Sequence, residues 1–249
     1  MRDFEGRTAL VTGAAGEIGT ATAALLVTRG ARVIAADLAG ADWSRLRAAV
    51  PEAEVMHADM TDEASVAAMV AAGVEAGGGR LHAFFNNAGV EGPIAPIADY
   101  AAADFRRVMA VNVEGVFLGL KYVMPVMLAA GAGAIVNTSS VAGLGGAPGM
   151  AGYVASKHAV LGLTRVAALE AAAKGVRVNS VHPGPITGRM MGSIDAGAGS
   201  EESRRATAIP QQRYGRPAEV AAVVAFLLSD AAAYVNGAAY AVDGALTAS

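Results

Sequence analysis

Short apolar runs recur along this chain, each ending in glycine or a small polar residue and each followed by a longer, alanine-rich stretch. Thr8 to Thr12 ends at Gly13, Ala31 to Ala36 at Asp37, Ala53 to Ala58 at Asp59, and Leu81 to Phe85 at Asn86 and Asn87. Further on, Ala134 to Thr138 ends at Ser139 and Ser140, and Val176 to Val181 at His182, Pro183 and Gly184. Runs this short and this continuously apolar fit strands buried on both faces, the habit of parallel sheets covered by helices. The stretches between them read as helices: Thr20 to Thr28, Trp43 to Val50, Asp62 to Ala76, Ala103 to Ala130, Gly152 to Lys174 and Pro217 to Ser229. The chain is therefore expected to be α/β, a doubly wound parallel sheet closed by a last strand at Ala238 to Val242.

Ligands of such sheets bind outside the carboxyl ends of the strands, where the polar residues above collect. After the first strand, Gly13 to Gly19 (GAAGEIG) forms a tight turn that opens a helix, placing bare N–H groups and a positive helix end where a diphosphate can sit. Asp37, at the tip of the second strand, either starts a turn or accepts a hydrogen bond from an adenosine ribose hydroxyl. Its charge repels a 2′-phosphate, and with Leu38 beside it and Ala14 and Ala15 in the turn no arginine or lysine is offered to one, so the sequence predicts NAD over NADP. Tyr153 and Lys157, four positions apart on a helix, share a face, so an ammonium near the phenol is expected to lower the tyrosine's pKa toward a usable base. Asn112, inside a long apolar helix, is either a satisfied core amide or a functional group. Pro125 is expected to kink or shorten that helix.

Charge and composition exclude several roles. With a net charge of -3 and lysine only at 121, 157 and 174, no basic stripe exists for nucleic acid. Cysteine is absent, and His57, His82, His158 and His182 lack metal-ligand spacing, so no metal is expected. The apolar runs are broken by polar residues before membrane-spanning length, and the charged N-terminus is unlike a signal peptide; a cytoplasmic protein without membrane contact is the expectation. From 185 to 216 no regular period persists, and so long an irregular stretch reads as a lid over the strand ends.

In order along the chain, these features resemble the short-chain dehydrogenase/reductase family over essentially all 249 residues. Thr12 to Gly19 match its glycine motif, Asp59 its adenine-side aspartate, Asn86 to Gly89 its N-N-A-G and Asn112 its helix asparagine. Ser140 matches the active-site serine, Tyr153 and Lys157 its Y-x-x-x-K, and Pro183 and Gly184 its P-G. The resemblance implies a single Rossmann-like domain spanning 1–249. It implies Ser140, Tyr153, Lys157 and Asn112 as catalytic residues, Asn112 holding a water that links the lysine to solvent, while Ser139 is structural. It implies NAD held by Gly13, Glu17, Ile18, Asp37, Leu38, Asp59, Met60, Asn86, Asn87, Ala88, Gly89, Tyr153, Lys157, Pro183, Gly184, Ile186 and Thr187. NNAGVEGP and GVFLGL are similar to NAD-dependent members acting on cyclic secondary alcohols and ketones, which implies a hydrophobic alcohol or ketone as partner and a homotetramer.

Two departures stand out: Glu17 replaces the middle glycine of the first motif, and Gly188 stands where the family has threonine, with Thr187 before it. Val90, Glu91, Leu144, Met150, Met190 and Met191 are the expected substrate-pocket residues, although methionines at such positions are more often core or lid packing. An acyl-carrier thioester reductase and a non-catalytic NAD-binding regulator are the competing functions.

Overall fold

The computed structural model describes residues 2–199 and 202–248. Among these, the strands are β1 (Thr8–Thr12), β2 (Arg32–Asp37), β3 (Glu54–His57), β4 (Ala83–Asn86), β5 (Gly133–Thr138), β6 (Val176–Pro183) and β7 (Ala239–Val242). They form one sheet in the order β3-β2-β1-β4-β5-β6-β7, every pairing parallel. The winding reverses between β1 and β4, which opens a crevice at their carboxyl ends. The helices are α1 (Glu17–Thr28), α2 (Ser44–Ala49), α3 (Glu63–Ala76), α4 (Ala102–Met109), α5 (Gly115–Ala130), α6 (Ala151–Ala171), α7 (Arg189–Gly197), α8 (Glu202–Ala206) and α9 (Pro217–Leu228).

Strand side chains alternate between two cores, as a period of two requires. Ala9, Val11, Phe85 and Val136 pack with Leu26 of α1, Leu46 of α2 and Val224 of α9. Leu10, Phe84 and Ile135 pack with Met69 of α3, Val123 of α5 and Val160 of α6. Phe84 and Phe85 are both fully buried, and burying a side chain of this size stabilises by about 1.5–3 kcal/mol. Two filled faces hold the strand ends, and hence the site, on a rigid platform.

Three expectations change. Pro125 does not end its helix: α5 continues through it to Ala130 and stops at Gly131, whose φ of 65° needs no Cβ to be accommodated. The irregularity lies earlier, in a π-helical turn at Ala110–Glu114 that carries Asn112. Through that turn helix 102–130 runs 29 residues and is long and apolar enough to span a bilayer by composition, against the sequence expectation. Its apolar residues instead serve the sheet, with Val108, Val116, Leu118, Leu120, Val123 and Met127 buried. Finally, the stretch 185–216 contains α7 and α8 rather than continuous loop. Ser200 and Glu201 of that stretch, with Met1 and Ser249, lie outside the described residues.

Candidate active site

The glycine turn is built to leave backbone exposed. Gly13 adopts φ 62°, and a Cβ there would lie 2.9 Å from Ala88 Cα; one on Gly19 would lie 2.2 Å from the Gly13 carbonyl oxygen. The turn is pinned from below by Asn87, whose amide donates to the carbonyls of Thr12 (3.0 Å) and Gly13 (3.3 Å) and accepts from the Thr138 hydroxyl (3.1 Å). Thr12 Oγ1 in turn accepts the N–H groups of Asn87 (2.9 Å) and Ala88 (3.2 Å). Gly16, the N-cap of α1, has no side chain to cap the helix, which suits an anion at its N-terminus. Ile18 packs into the core beneath.

Asp37 ends β2 with its carboxylate accepting the N–H groups of Ala15 (2.9 Å) and Leu38 (2.8 Å), which leaves lone pairs on both oxygens for hydroxyl donors. One sequence expectation is corrected here. A basic side chain does reach the turn: Arg45 of α2 lies 3.4 Å from the Ala15 carbonyl oxygen and 3.3 Å from Glu17 Oε1. Asp59 uses its carboxylate on Thr61, accepting from N–H and hydroxyl, while Met60 is buried against Gly115. Asn86 is buried beneath the cleft, its Nδ2 donating to the Val116 carbonyl (3.0 Å) and to Asn137 Oδ1 (3.2 Å) as a core amide does. Gly184 is tied to β7 by its N–H on Val242 O (3.0 Å), and Thr187 N–H bonds Gly215 O (2.9 Å) in the bridge that holds Ile186.

Ser140, Tyr153 and Lys157 converge at the ends of β5 and α6, each buried. Ser140 Oγ accepts from Ala142 N–H (3.1 Å) and approaches the Pro183 carbonyl (3.4 Å). Ser139 points the other way, donating to the Lys157 carbonyl (2.8 Å). Lys157 Nζ lies 5.5 Å from the Tyr153 ring centre and gives one hydrogen bond, to Thr138 O (3.0 Å). An ammonium has three donors, so two remain for a ligand.

Electrostatics here differ from the sequence expectation. Burial raises the Tyr153 pKa, opposed by a hydrogen bond from Ser140 and reinforced by the Glu91 charge. Burial also drives Lys157 from 10.5 to about 8. The i,i+4 spacing anticipated attraction between the pair, but withdrawal from water acts on both and dominates in the protein alone. Asn112 Oδ1 accepts Val90 N–H (2.8 Å), and its Nδ2 donates to Val90 O (2.9 Å) and Ser156 Oγ (3.0 Å). Its side chain braces the loop after Gly89, with both amide hydrogens used and one Oδ1 lone pair left to accept.

An apolar wall surrounds the phenol. Ala142, Met150 and Tyr153 are buried together, with Ile94, Ala147, Val154 and Ile194 against them. Ile94 and Ile194 escaped the sequence reading. Leu144 is exposed, and Met191 turns into a separate small core with Ala206, Ile209 and Tyr214, so it is packing and not pocket. Val90 sits in the loop held by Asn112, and Met190 is half-buried. Glu91 pairs with Arg189 (3.3 Å). His182 was also missed: fully buried, it holds the Ser140 carbonyl by Nδ1 (2.9 Å) and the Ser180 hydroxyl by Nε2 (2.8 Å). Among the described residues no three acidic, histidine or cysteine side chains cluster as metal ligands.

Comparisons with known proteins find relatives over nearly the whole chain. A family model described as Enoyl-(Acyl carrier protein) reductase matches residues 13–247. The chain is 43% identical over 248 residues to cyclohexanol dehydrogenase of Acinetobacter sp. (strain SE19), covering 98% of this chain and 96% of that one. It is similar to the crystal structure of levodione reductase, with TM-score 0.93, 40% identity and 99% of each chain covered. It is also similar to the structure of NAD+-bound xylitol dehydrogenase, with TM-score 0.90 and 36% identity over 97% of this chain and 99% of the other.

Proposed function

This chain belongs to the short-chain dehydrogenase/reductase family, and from that premise we propose that it interconverts a hydrophobic, cyclic or aryl secondary alcohol and its ketone with NAD as hydride carrier. The observation that carries the reading is the meeting of Ser140, Tyr153 and Lys157 beside an apolar wall at the strand ends. Similarity to cyclohexanol dehydrogenase and levodione reductase supports a ring as substrate.

The residues present fit a dinucleotide. The uncapped N-terminus of α1 over a turn that excludes Cβ atoms suits a diphosphate, Asp37 suits ribose hydroxyls, and the remaining donors of Lys157 suit the second ribose. Asp37 and the resemblance to an NAD+-bound enzyme favour NAD. When bound, NAD supplies or receives the hydride and, when oxidised, adds a positive ring.

The protein's own part is proton handling and alignment. Burial keeps Tyr153 protonated, so in ketone reduction its O–H donates to the substrate oxygen. Ser140 hydrogen-bonds the same oxygen, its backbone held by His182. Alcohol oxidation runs the proton the other way and needs the phenol to ionise, which the Lys157 ammonium favours once the site carries further positive charge. Ile94, Met150 and Ile194 exclude water from the reacting carbon.

The test is a panel of cyclic, aryl and acyclic alcohols, and a 3-oxo acyl thioester, assayed with NAD(H) beside NADP(H). Fastest turnover of cyclic alcohols with NAD is expected; turnover confined to the thioester with NADPH refutes the reading. Exposed Phe105 and Phe117, with Met109, Val113 and Leu163, line an apolar groove along α4 to α6 that suits a homotetramer interface. A monomer by sedimentation would refute that part.

A further inference from the structure

Glu17 opens α1 at the glycine turn, yet its carboxylate serves the lid. Oε1 accepts the N–H of Arg189, the first residue of α7, at 3.0 Å. The residue before it, Gly188, has no side chain with which to cap the helix, so the cap arrives from another element. Nor is there room for one: at φ 151° a Cβ on Gly188 would lie 2.9 Å from Glu17 Cγ and Cδ. The two positions where the sequence departs from its family pattern thus fill each other's space. From the turn side, Arg45 holds the same carboxylate oxygen at 3.3 Å. From the lid side, the Arg189 guanidinium reaches Glu91, whose charge acts on Tyr153.

We infer that Glu17 is a positioning residue that anchors the lid, capping α7 from the glycine turn and so coupling lid position to the diphosphate end of the cofactor cleft. The carboxylate and a diphosphate are anions drawn to neighbouring helix N-termini. Glu17 stands in the first turn of α1, so its charge opposes a diphosphate at that helix end, and seating the cofactor requires the carboxylate to release α7. The coupling rests on the NAD reading above; the anchor does not.

Hydrogen exchange on the cofactor-free full chain tests the anchor directly. Glu17→Ala removes a charge-assisted hydrogen bond and should speed exchange over residues 189–197 by roughly tenfold, with α6 unchanged. Glu17→Gln keeps an oxygen acceptor without the charge and should give a smaller rise. If the alanine variant fails to fold, as a loss of α6 protection would reveal, the glutamine variant decides. Unchanged exchange over 189–197 in the folded variants overturns the anchor. NADH titration followed by fluorescence then reads the coupling: a lower Kd in the variants is expected, and an equal or higher one refutes it. Failure of the wild-type protein to bind NADH would sink the cofactor reading while leaving the exchange result to judge the anchor.

Discussion

Replacing Lys157 with methionine should make this protein more stable at neutral pH while abolishing turnover. The side chain is 3% exposed, and burial lowers its pKa from 10.5 to about 8. Below pH 8 the lysine is charged whether folded or unfolded, and the native state bears the whole desolvation penalty. Between about 8 and 10.5 the folded protein sheds the proton that the unfolded chain keeps, so the penalty fades as pH rises. At roughly 1.4 kcal/mol per pH unit that interval corresponds to about 3 kcal/mol. Methionine has similar length and no charge, but it strips Thr138 O of its donor, which costs about 1 kcal/mol. The net expectation at pH 7 is a gain of about 2 kcal/mol, shrinking to nothing and then reversing above pH 10. Urea unfolding followed by circular dichroism at pH 7 and pH 10 measures both. A variant less stable than wild type at pH 7, or a gain that does not shrink with pH, would refute the reasoning.

Tyr153→Phe should lower kcat by roughly 100-fold or more while NADH binding, measured by fluorescence, is retained, since only the proton donor is removed. Burial, opposed by Ser140 and reinforced by Glu91, holds the Tyr153 pKa up; Glu91→Gln removes the last contribution and should move the alcohol-oxidation pH profile to lower pH. Asp37→Ala removes both the hydroxyl acceptor and the repulsion of a 2′-phosphate, and should shift the ratio of kcat/KM for NAD over NADP toward NADP by about tenfold. His182→Phe frees the Ser140 carbonyl inside the core; kcat should fall with KM little changed, and His182→Gln, which can restore a donor, should recover part of it.

How much of this was legible in the sequence depended on whether the deciding interaction was local. Strands such as Leu10 and Phe84 announce themselves because a strand buried on both faces must be apolar throughout, and the glycine turn because Gly13 and Gly19 have no space for a Cβ. Ser140, Tyr153 and Lys157 were findable by spacing and resemblance. Arg45, Arg189, Ile94 and Ile194 were not, because the folding of distant segments alone sets them beside the site. Asn86 carried a family motif, yet its side chain is spent under the sheet on Val116 and Asn137. In α7 the glycines at 192 and 197 mask the period, although Met191 and Ile194, three apart and both packed, were a signal. The sign of the Tyr153 shift was unreadable for a different reason: spacing reveals a neighbouring charge, but desolvation belongs to the finished fold.

The small cluster of Met191, Ala206, Ile209 and Tyr214 gives the segment over the strand ends an interior of its own, strengthened by the Tyr214 hydroxyl on Asp195 (2.9 Å). Under the proposed function, proton handling and shape recognition would then fall to separate parts of the chain. The strand ends carry the first, while the second falls to a segment whose small core is distinct from the two that flank the sheet. A graft bounded at Ile186 and Gly215, whose backbones are joined in a bridge, would respect that seam, but it would have to keep the contacts that cross it, Arg189 N–H on Glu17 and Ile194 against the Tyr153 cluster.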